Sequence, residues 1–93
     1  MKLSEAIREG AKLRPQAFSA LFCDGKTCAL GAACDAVGAI TWRGDKGELT
    51  GFVPSHYFPA LEDPDLYLAI TRMNDFQRMT REQIADWVEE QGY

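Results

Sequence analysis

The side chains best suited to chemistry in this sequence are three cysteines, Cys23, Cys28 and Cys34, and a single histidine, His56. Cys28 stands at the predicted start of a helix, where free backbone N–H groups and the helix dipole lower the pKa of a thiol. A thiol and an imidazole are the minimum of a cysteine nucleophile and its base. Buried cysteines behave as small apolar side chains, however, and no motif of a known cysteine enzyme surrounds these residues. The sequence therefore predicts no catalytic residue and leaves a thiol enzyme built on Cys28 and His56 as an alternative.

The cysteine spacing argues against a metal site. Cys28 and Cys34 are six residues apart, which separates them on a helix by about 9 Å in rise and about 120° in direction. A zinc ion needs its sulfur ligands at about 2.3 Å and a disulfide needs Cα atoms within about 7 Å, so neither joins these two residues. Cys23 could meet Cys28 across a turn, but a reducing compartment keeps both as thiols. The sequence predicts no metal and no cofactor.

Asn74 and Asp75 form a second polar pair that could do chemistry. The amide and the carboxylate could bind a polar ligand if both side chains face a pocket. The same residue types also bond to nearby backbone, and Asn tolerates left-handed geometry, so the pair can end one helix and shape the turn that leads to Thr80. The sequence favours this structural role and leaves ligand binding open.

Aromatic residues are concentrated between the predicted hairpin and the third helix. They are Trp42, Phe52, His56, Tyr57 and Phe58. In a small domain such residues usually cover the core, but protein interfaces are rich in the same residue types. The candidate surface for a protein partner therefore consists of Trp42, His56, Tyr57 and Phe58.

The composition is that of one folded domain. The 93 residues are 46% hydrophobic and 26% charged, and no apolar run approaches the roughly 20 residues that span a bilayer. The N-terminus shows no signal-peptide pattern, so the cytoplasm is the expected location. The net charge is uneven, +2 over residues 1–46 and −6 over residues 47–93. Because phosphate binding needs clustered cations, the sequence favours neither nucleic acid nor a membrane as a partner.

The central element of the predicted fold is a Cys/Ala-rich helix over residues 27–38. Thr27 is its expected N-cap, and Gly38 is the left-handed residue expected to end it. At 100° per residue the apolar side chains fall on one face and Asp35 lies opposite. We expect the other elements to pack against this helix.

Three further helices are expected near residues 4–14, 64–75 and 80–91, with a short hairpin near 40–53. Ser4, Asp63 and Thr80 are the expected N-caps, and Gln83 completes a capping box with Thr80. The predicted fold class is therefore mainly α, a four-helix domain around the Cys/Ala-rich helix.

Two segments and one arginine are harder to assign. Residues 17–23 are assigned to an extended segment, and residues 54–59 to an irregular connection between two prolines. Arg14 falls on the apolar face of the first helix. Either its stem packs while its guanidinium reaches water, or it pairs in the interior with an acidic residue of the second half.

Both ends of the chain and its central helix resemble a group of small uncharacterised bacterial and phage-borne proteins. The resemblance lies in residues 3–8, in a Cys-Ala-Leu-Gly-Ala box at 28–32, in Asn74-Asp75 and in the Thr-x-Glu start of residues 80–89. Residues 39–62 have no counterpart. The resemblance implies a folded domain and a phage association, and it carries no activity.

These observations favour a small non-enzymatic interaction or regulatory module that works by surface contact with a protein partner. The thiol enzyme is one alternative. The other is an acidic inhibitor that presents the carboxylates of residues 47–93 to a basic site on its target.

Overall fold

Helices form most of the regular structure, and the mainly α class with a short hairpin is confirmed. The computed structural model describes residues 1–51 and 53–93; Phe52, one of the predicted aromatic cluster, lies outside the described residues. The described part contains five α-helices, one more than the four predicted: Leu3–Ala11 (α1), Ala29–Ala36 (α2), Pro54–Tyr57 (α3), Pro64–Asp75 (α4) and Arg81–Glu90 (α5). None of them combines the length and the apolar composition that a bilayer crossing requires.

The Cys/Ala-rich helix α2 lies among the other helices and contacts α1, α3, α4 and α5. All its residues from Ala29 to Cys34 are buried, as expected for a helix with almost no polar side chains. The predicted N-cap is wrong: the helix begins at Ala29, and the Cys28 Sγ caps it by accepting a hydrogen bond from the Gly31 N–H at 3.3 Å. Gly38 has a φ of 75°, the left-handed geometry predicted for it.

Two glycines allow the close enclosure of α2. A Cβ on Gly10 of α1 would overlap the backbone carbonyl of Ala32, and a Cβ on Gly31 would overlap the backbone carbonyl of Leu21. Backbone atoms cannot move aside as the end of a flexible side chain can, so both positions exclude a side chain.

The first helix is shorter than predicted. It covers Leu3–Ala11, and its N-cap is Lys2 rather than Ser4, which lies in the first turn and is fully buried. The helix stops three residues before the predicted end, because Lys12 and Leu13 close the last turn with 3₁₀-type bonds to Glu9 and Gly10.

Arg14 meets neither sequence-based expectation. Its Nε donates to the Asp35 carboxylate at 3.1 Å, and its guanidinium lies 3.7 Å from the centre of the Trp42 ring. Its partner therefore belongs to the first half of the chain, on α2. The Asp35 side chain is only 8% exposed, because Arg14 and Trp42 cover the side of α2 that lies opposite the apolar face.

Two antiparallel hairpins adjoin the helices. Strands Ile40–Arg43 (β3) and Lys46–Leu49 (β4) form the predicted hairpin, with Ile40 opposite Leu49. A second hairpin joins Phe22–Cys23 (β1) to Lys26–Thr27 (β2) around Asp24-Gly25. Thr27 is therefore a strand residue. Only the end of the segment 17–23 is extended, and residues 18–21 form bends.

The connection after β4 is helical, so the irregular structure predicted for residues 54–59 is wrong. Pro54–Tyr57 form the single turn α3, and Pro59–Glu62 form a 3₁₀ turn. Each turn begins with a proline, whose fixed φ suits the first helical position and whose missing N–H costs nothing there.

The predicted N-caps of the last two helices are confirmed. Asp63 Oδ1 accepts the Asp65 N–H at 2.9 Å. Thr80 and Gln83 form the reciprocal capping box, with distances of 3.1 and 3.0 Å. The core between α1, α2, α4 and α5 contains four fully buried aliphatic side chains, those of Ile7, Ile70, Ile84 and Val88.

Candidate functional site

The residues predicted as a partner surface differ widely in exposure. Phe58 is 4% exposed and belongs to the main core. Trp42 is half-buried, and its Nε1–H donates to Asp35 at 3.0 Å. Tyr57 is also half-buried, whereas His56 is exposed and its ring lies edge-on to Tyr57 at a centroid distance of 5.4 Å. Aromatic residue type alone did not distinguish the core member, Phe58, from the exposed one, His56.

Cys28 lines a cavity, but its surroundings disfavour a thiolate. Hydrogen bonds from the backbone at the start of α2 lower the pKa of the thiol, as its helix-start position suggested. Burial has the larger effect, and the net result is a pKa above the ordinary value. Among the described residues that line this cavity there is no histidine, so the cavity does not bring Cys28 and His56 together.

The other two cysteines lie in different places. Cys34 is fully buried in a small apolar cluster with Ala39 and Ile40, and burial raises the pKa of its thiol to about 12. Cys23 is exposed on the first hairpin, and a hydrogen bond with Asp24 raises its pKa. All three cysteines are free. Residues 1–51 and 53–93 contain no group of three or more His, Cys, Asp or Glu side chains placed to hold a metal ion.

Asn74 is the buried polar residue beside Cys28, with 1% of its surface exposed. Its amide oxygen accepts from the Ala29 N–H at 3.1 Å and from the Gln16 amide at 2.9 Å. Its amide nitrogen donates to the Ala17 carbonyl at 2.9 Å and to Asp75 Oδ1 at 2.8 Å. Asn74 thus joins α4 to the start of α2 and to the segment before the first hairpin. Its partners on Gln16, Ala17 and Ala29 are 45 to 58 residues away, whereas the sequence suggested a local turn.

Asp75 continues this network towards the surface. Its Oδ1 also accepts the Ser19 N–H at 2.9 Å. Ser19 has a φ of 60°, a left-handed geometry that is uncommon for a residue other than glycine. The Asp75 carboxylate therefore holds a bent segment of the chain against α4.

A cavity of about 200 Å³ lies between α4, the start of α2 and residues 19–21. Its apolar wall includes Leu21, Leu30 and Ile70; its other lining residues are Ser19, Ala20, Cys28, Ala29, Tyr67, Thr71, Asn74 and Asp75. Thr71 donates its hydroxyl proton to the Tyr67 carbonyl at 3.0 Å, so the lone pairs of its Oγ1 remain able to accept from a ligand. We take this cavity as the candidate binding site.

The sequence pointed to Asn74, Asp75 and Cys28 but not to Ser19, Tyr67 or Thr71. The last two residues lie on the half-exposed side of α4, where helical periodicity predicts nothing except contact with solvent. Ser19 lies in a bend. No local pattern relates Ser19 to Tyr67 and Thr71, which are 48 and 52 positions away, so only the fold brings these groups together.

Sequence reasoning also missed a second buried polar side chain, Arg81. It is 6% exposed and has no carboxylate partner among the described residues. Its guanidinium donates to Thr27 Oγ1 at 2.9 Å and to the carbonyls of Arg14 and Ala11 at 2.6 and 3.2 Å. Desolvation lowers its pKa below the ordinary value. A signal was present, because Arg81 precedes the apolar Ile84 by three residues and so lies on the inward face of α5.

Comparisons of this chain with protein-family models, with curated proteins and with solved structures found no match.

Proposed function

We propose that the protein is a small non-enzymatic interaction module whose cavity between α2, α4 and residues 19–21 accepts one side chain of a protein partner. The observation that carries this proposal is a recess with an apolar wall and polar groups already fixed in position by Asn74. Ligand sites commonly combine these two features. The volume of about 200 Å³ is below the roughly 300–1,000 Å³ of small-molecule sites, so a side chain suits it better than a cofactor.

Exposed apolar side chains lie next to this cavity. Tyr67, which lines it, is 39% exposed, and Leu68 is 45% exposed one turn before Thr71 on the same side of α4. Phe18, directly before Ser19, is 36% exposed. Apolar surface around a recess is what an interface uses to exclude water from a central anchoring side chain. This arrangement supports a protein partner over a free small molecule.

The thiol enzyme receives less support than the interaction module. Burial keeps Cys28 protonated at neutral pH, and His56 is not part of the cavity that Cys28 lines. A nucleophilic cysteine requires the opposite, a lowered pKa and a nearby base.

The acidic inhibitor is also less well supported. Arg8 of α1 donates to Asp86 at 2.8 Å and to Glu89 at 3.0 Å. Two carboxylates of the acidic face of α5 are therefore paired within the protein, which reduces the negative potential that a basic target would meet.

Two further parts of the proposal concern surface and location. The predicted partner surface stays a second candidate, reduced to the exposed His56 and the half-buried Trp42 and Tyr57.

We also propose the cytoplasm as the location, and the three free cysteines agree with its reducing conditions. The phage association implied by the resemblance stays a prediction.

Selection from a displayed library of random peptides tests the proposed function. Thr71→Phe places an aromatic ring at the mouth of the cavity, and the matched control Thr41→Phe makes the same change at an exposed position on β3. We expect peptides selected on the wild-type protein to bind Thr71→Phe at least about tenfold more weakly and Thr41→Phe with unchanged affinity.

A third variant, His56→Ala, addresses the second candidate surface. Peptides that lose affinity for His56→Ala but still bind Thr71→Phe would overturn the cavity as the binding site. A failure to select any peptide from several libraries would count against the interaction module itself.

A further inference from the structure

The cavity carries one formal charge at neutral pH, on Asp75. The other titratable lining residues are Cys28 and Tyr67, and burial raises the pKa of each, which keeps both neutral at pH 7. Asp75 makes no ion pair with any described residue. The guanidinium of Arg78 lies 4.5 Å from the centre of the Phe18 ring and forms no ion pair with Asp75. The cavity therefore presents a carboxylate that has no ion-pair partner among the described residues.

This carboxylate is oriented before any ligand arrives. Its Oδ1 accepts from the Ser19 N–H and from the Asn74 amide, and Asn74 is itself held by bonds to Ala17 and Ala29. Oδ2 accepts no hydrogen bond from the described part of the chain. Binding sites are commonly pre-organised in this way, with a buried polar side chain that fixes the orientation of a charged side chain.

From this geometry we infer that the cavity binds an aliphatic ammonium group, with Asp75 as its counter-ion and Leu21, Leu30 and Ile70 around its methylene stem. The inference rests on the cavity of the proposed function and names the chemistry of its occupant. The ammonium belongs either to a lysine side chain of a partner or to a free alkylamine. An apolar wall next to a single carboxylate matches both parts of such a group.

An ammonium fits this site better than a guanidinium. Arginine binds a carboxylate through both oxygens in a planar fork, but here Oδ1 is already used by two N–H donors. An ammonium is a compact charge with three donors, and it can use Asp75 Oδ2 and Thr71 Oγ1 together. The free lone pairs of Thr71 make it the second acceptor.

The test is a titration of the isotope-labelled protein with n-butylammonium and with n-butanol, followed by backbone amide chemical shifts. The two probes have the same carbon chain and differ in charge. We expect n-butylammonium to shift the amides of Ser19, Leu21, Ala29 and Thr71, and n-butanol to bind at least about tenfold more weakly. Binding of n-butylammonium should weaken as salt is added.

Asp75→Asn removes the charge and keeps an oxygen that can accept from Ser19 and Asn74. It should reduce the affinity for n-butylammonium to that for n-butanol. The matched control Asp65→Asn removes the same charge about 15 Å along α4 and should bind as the wild type does. If Asp75→Asn does not fold, the comparison of the two probes on the wild-type protein still decides the question.

Two peptides distinguish the sources of the ammonium. A blocked tripeptide with a central lysine and its norleucine counterpart are titrated in the same way. Cavity shifts with the lysine peptide alone support a partner lysine, and cavity shifts with n-butylammonium alone support a free amine.

Equal binding of n-butanol and n-butylammonium, unchanged affinity in Asp75→Asn or no cavity shifts with any probe would overturn the inference. The proposed function is tested separately: selected peptides that need an open cavity but contain no lysine would leave it standing while the ammonium inference fails.

Discussion

Arg81 and Asn74 are buried polar side chains on neighbouring helices, and both reach back to the stretch between α1 and α2. Arg81 donates to the backbone of Ala11, Arg14 and Thr27, and Asn74 bonds to Ala17 and Ala29. On folding, each of these side chains loses its hydrogen bonds with water and forms new ones with the backbone of this segment. The segment that connects the first two helices is thus held at two points by the last two.

Arg81 and Asn74 differ in whether their hydrogen-bond partners border a cavity. The hydrogen bonds of Arg81 all end on groups of the fold, and Arg81 does not line the cavity between α2, α4 and residues 19–21. Asn74 borders a cavity and donates one bond to Asp75, a carboxylate with acceptor capacity left. A buried polar group whose bonds all close within the fold contributes stability, whereas one that orients a charged neighbour at a cavity also prepares a site.

The largest expected effect comes from Arg81→Met. Removing the guanidinium leaves the buried Thr27 Oγ1 and the part-buried carbonyls of Ala11 and Arg14 without this donor, so we expect a loss of about 3–5 kcal/mol in the free energy of unfolding. Urea unfolding measures it. Arg81→Lys keeps the charge but not the planar fork and should lose less. The affinity of the folded variants for n-butylammonium should equal that of the wild type. A weaker affinity would show that Arg81, like Asn74, contributes to the binding site.

Asn74→Ala should have the second largest effect on stability, about 2–3 kcal/mol, because it leaves the Ala29 N–H and the Ala17 carbonyl without partners. Unlike the Arg81 variants, it should also weaken n-butylammonium binding, since Asp75 loses one of the two bonds that orient it. Parallel urea and titration measurements test both parts. Normal binding with reduced stability would place Asn74 in the same category as Arg81.

Cys34 offers a buried side chain that belongs to neither set of hydrogen bonds. Burial raises the pKa of its thiol from 9.0 to about 12, so above pH 9 the unfolded chain releases a proton that the folded protein retains. Stability from this group is complete below the unfolded pKa and is lost as the pH rises towards the folded one, by about 1 kcal/mol at about pH 10. Thermal unfolding between about pH 8 and about pH 10 measures the slope. Cys34→Ala should reduce the slope, and the remainder comes from the other groups whose pKa is raised, Cys28, Cys23 and Tyr67. An equal slope in both proteins would contradict the assignment.

The smallest effect is expected at the exposed ion pairs of α1 with α5. Arg8→Gln removes the contacts with Asp86 and Glu89, which lie in solvent and are screened by salt. Its melting temperature should fall less than that of either buried variant, and the difference should vanish at about 1 M salt. A decrease in melting temperature as large as that of Asn74→Ala would show that these exposed ion pairs stabilise the protein as much as the buried hydrogen bonds of Asn74 do.

Local signals in the sequence were reliable where the structure uses local contacts. The capping box of Thr80 and Gln83, the Asp63 cap and the β3–β4 hairpin depend on residues close in sequence, and each was predicted. Thr27 failed as an N-cap because Asp24-Gly25 makes a hairpin that draws Thr27 into a strand. Ser4 failed because the first helical turn is buried against the end of the chain, where the Ser4 N–H donates to the Tyr93 carbonyl.

The sequence by itself determined the mainly α class and the central place of the Cys/Ala-rich helix. It also indicated Asn74, Asp75 and Cys28 as candidate functional residues. Periodicity and capping are properties of neighbouring residues, so they can be read without a fold. Only the tertiary structure decided that Arg81 is buried, that Arg14 pairs with Asp35 and that Ser19, Tyr67 and Thr71 complete a cavity. Those contacts join residues distant in sequence, and whether a polar group is satisfied or left open depends on which groups the packed helices bring beside it.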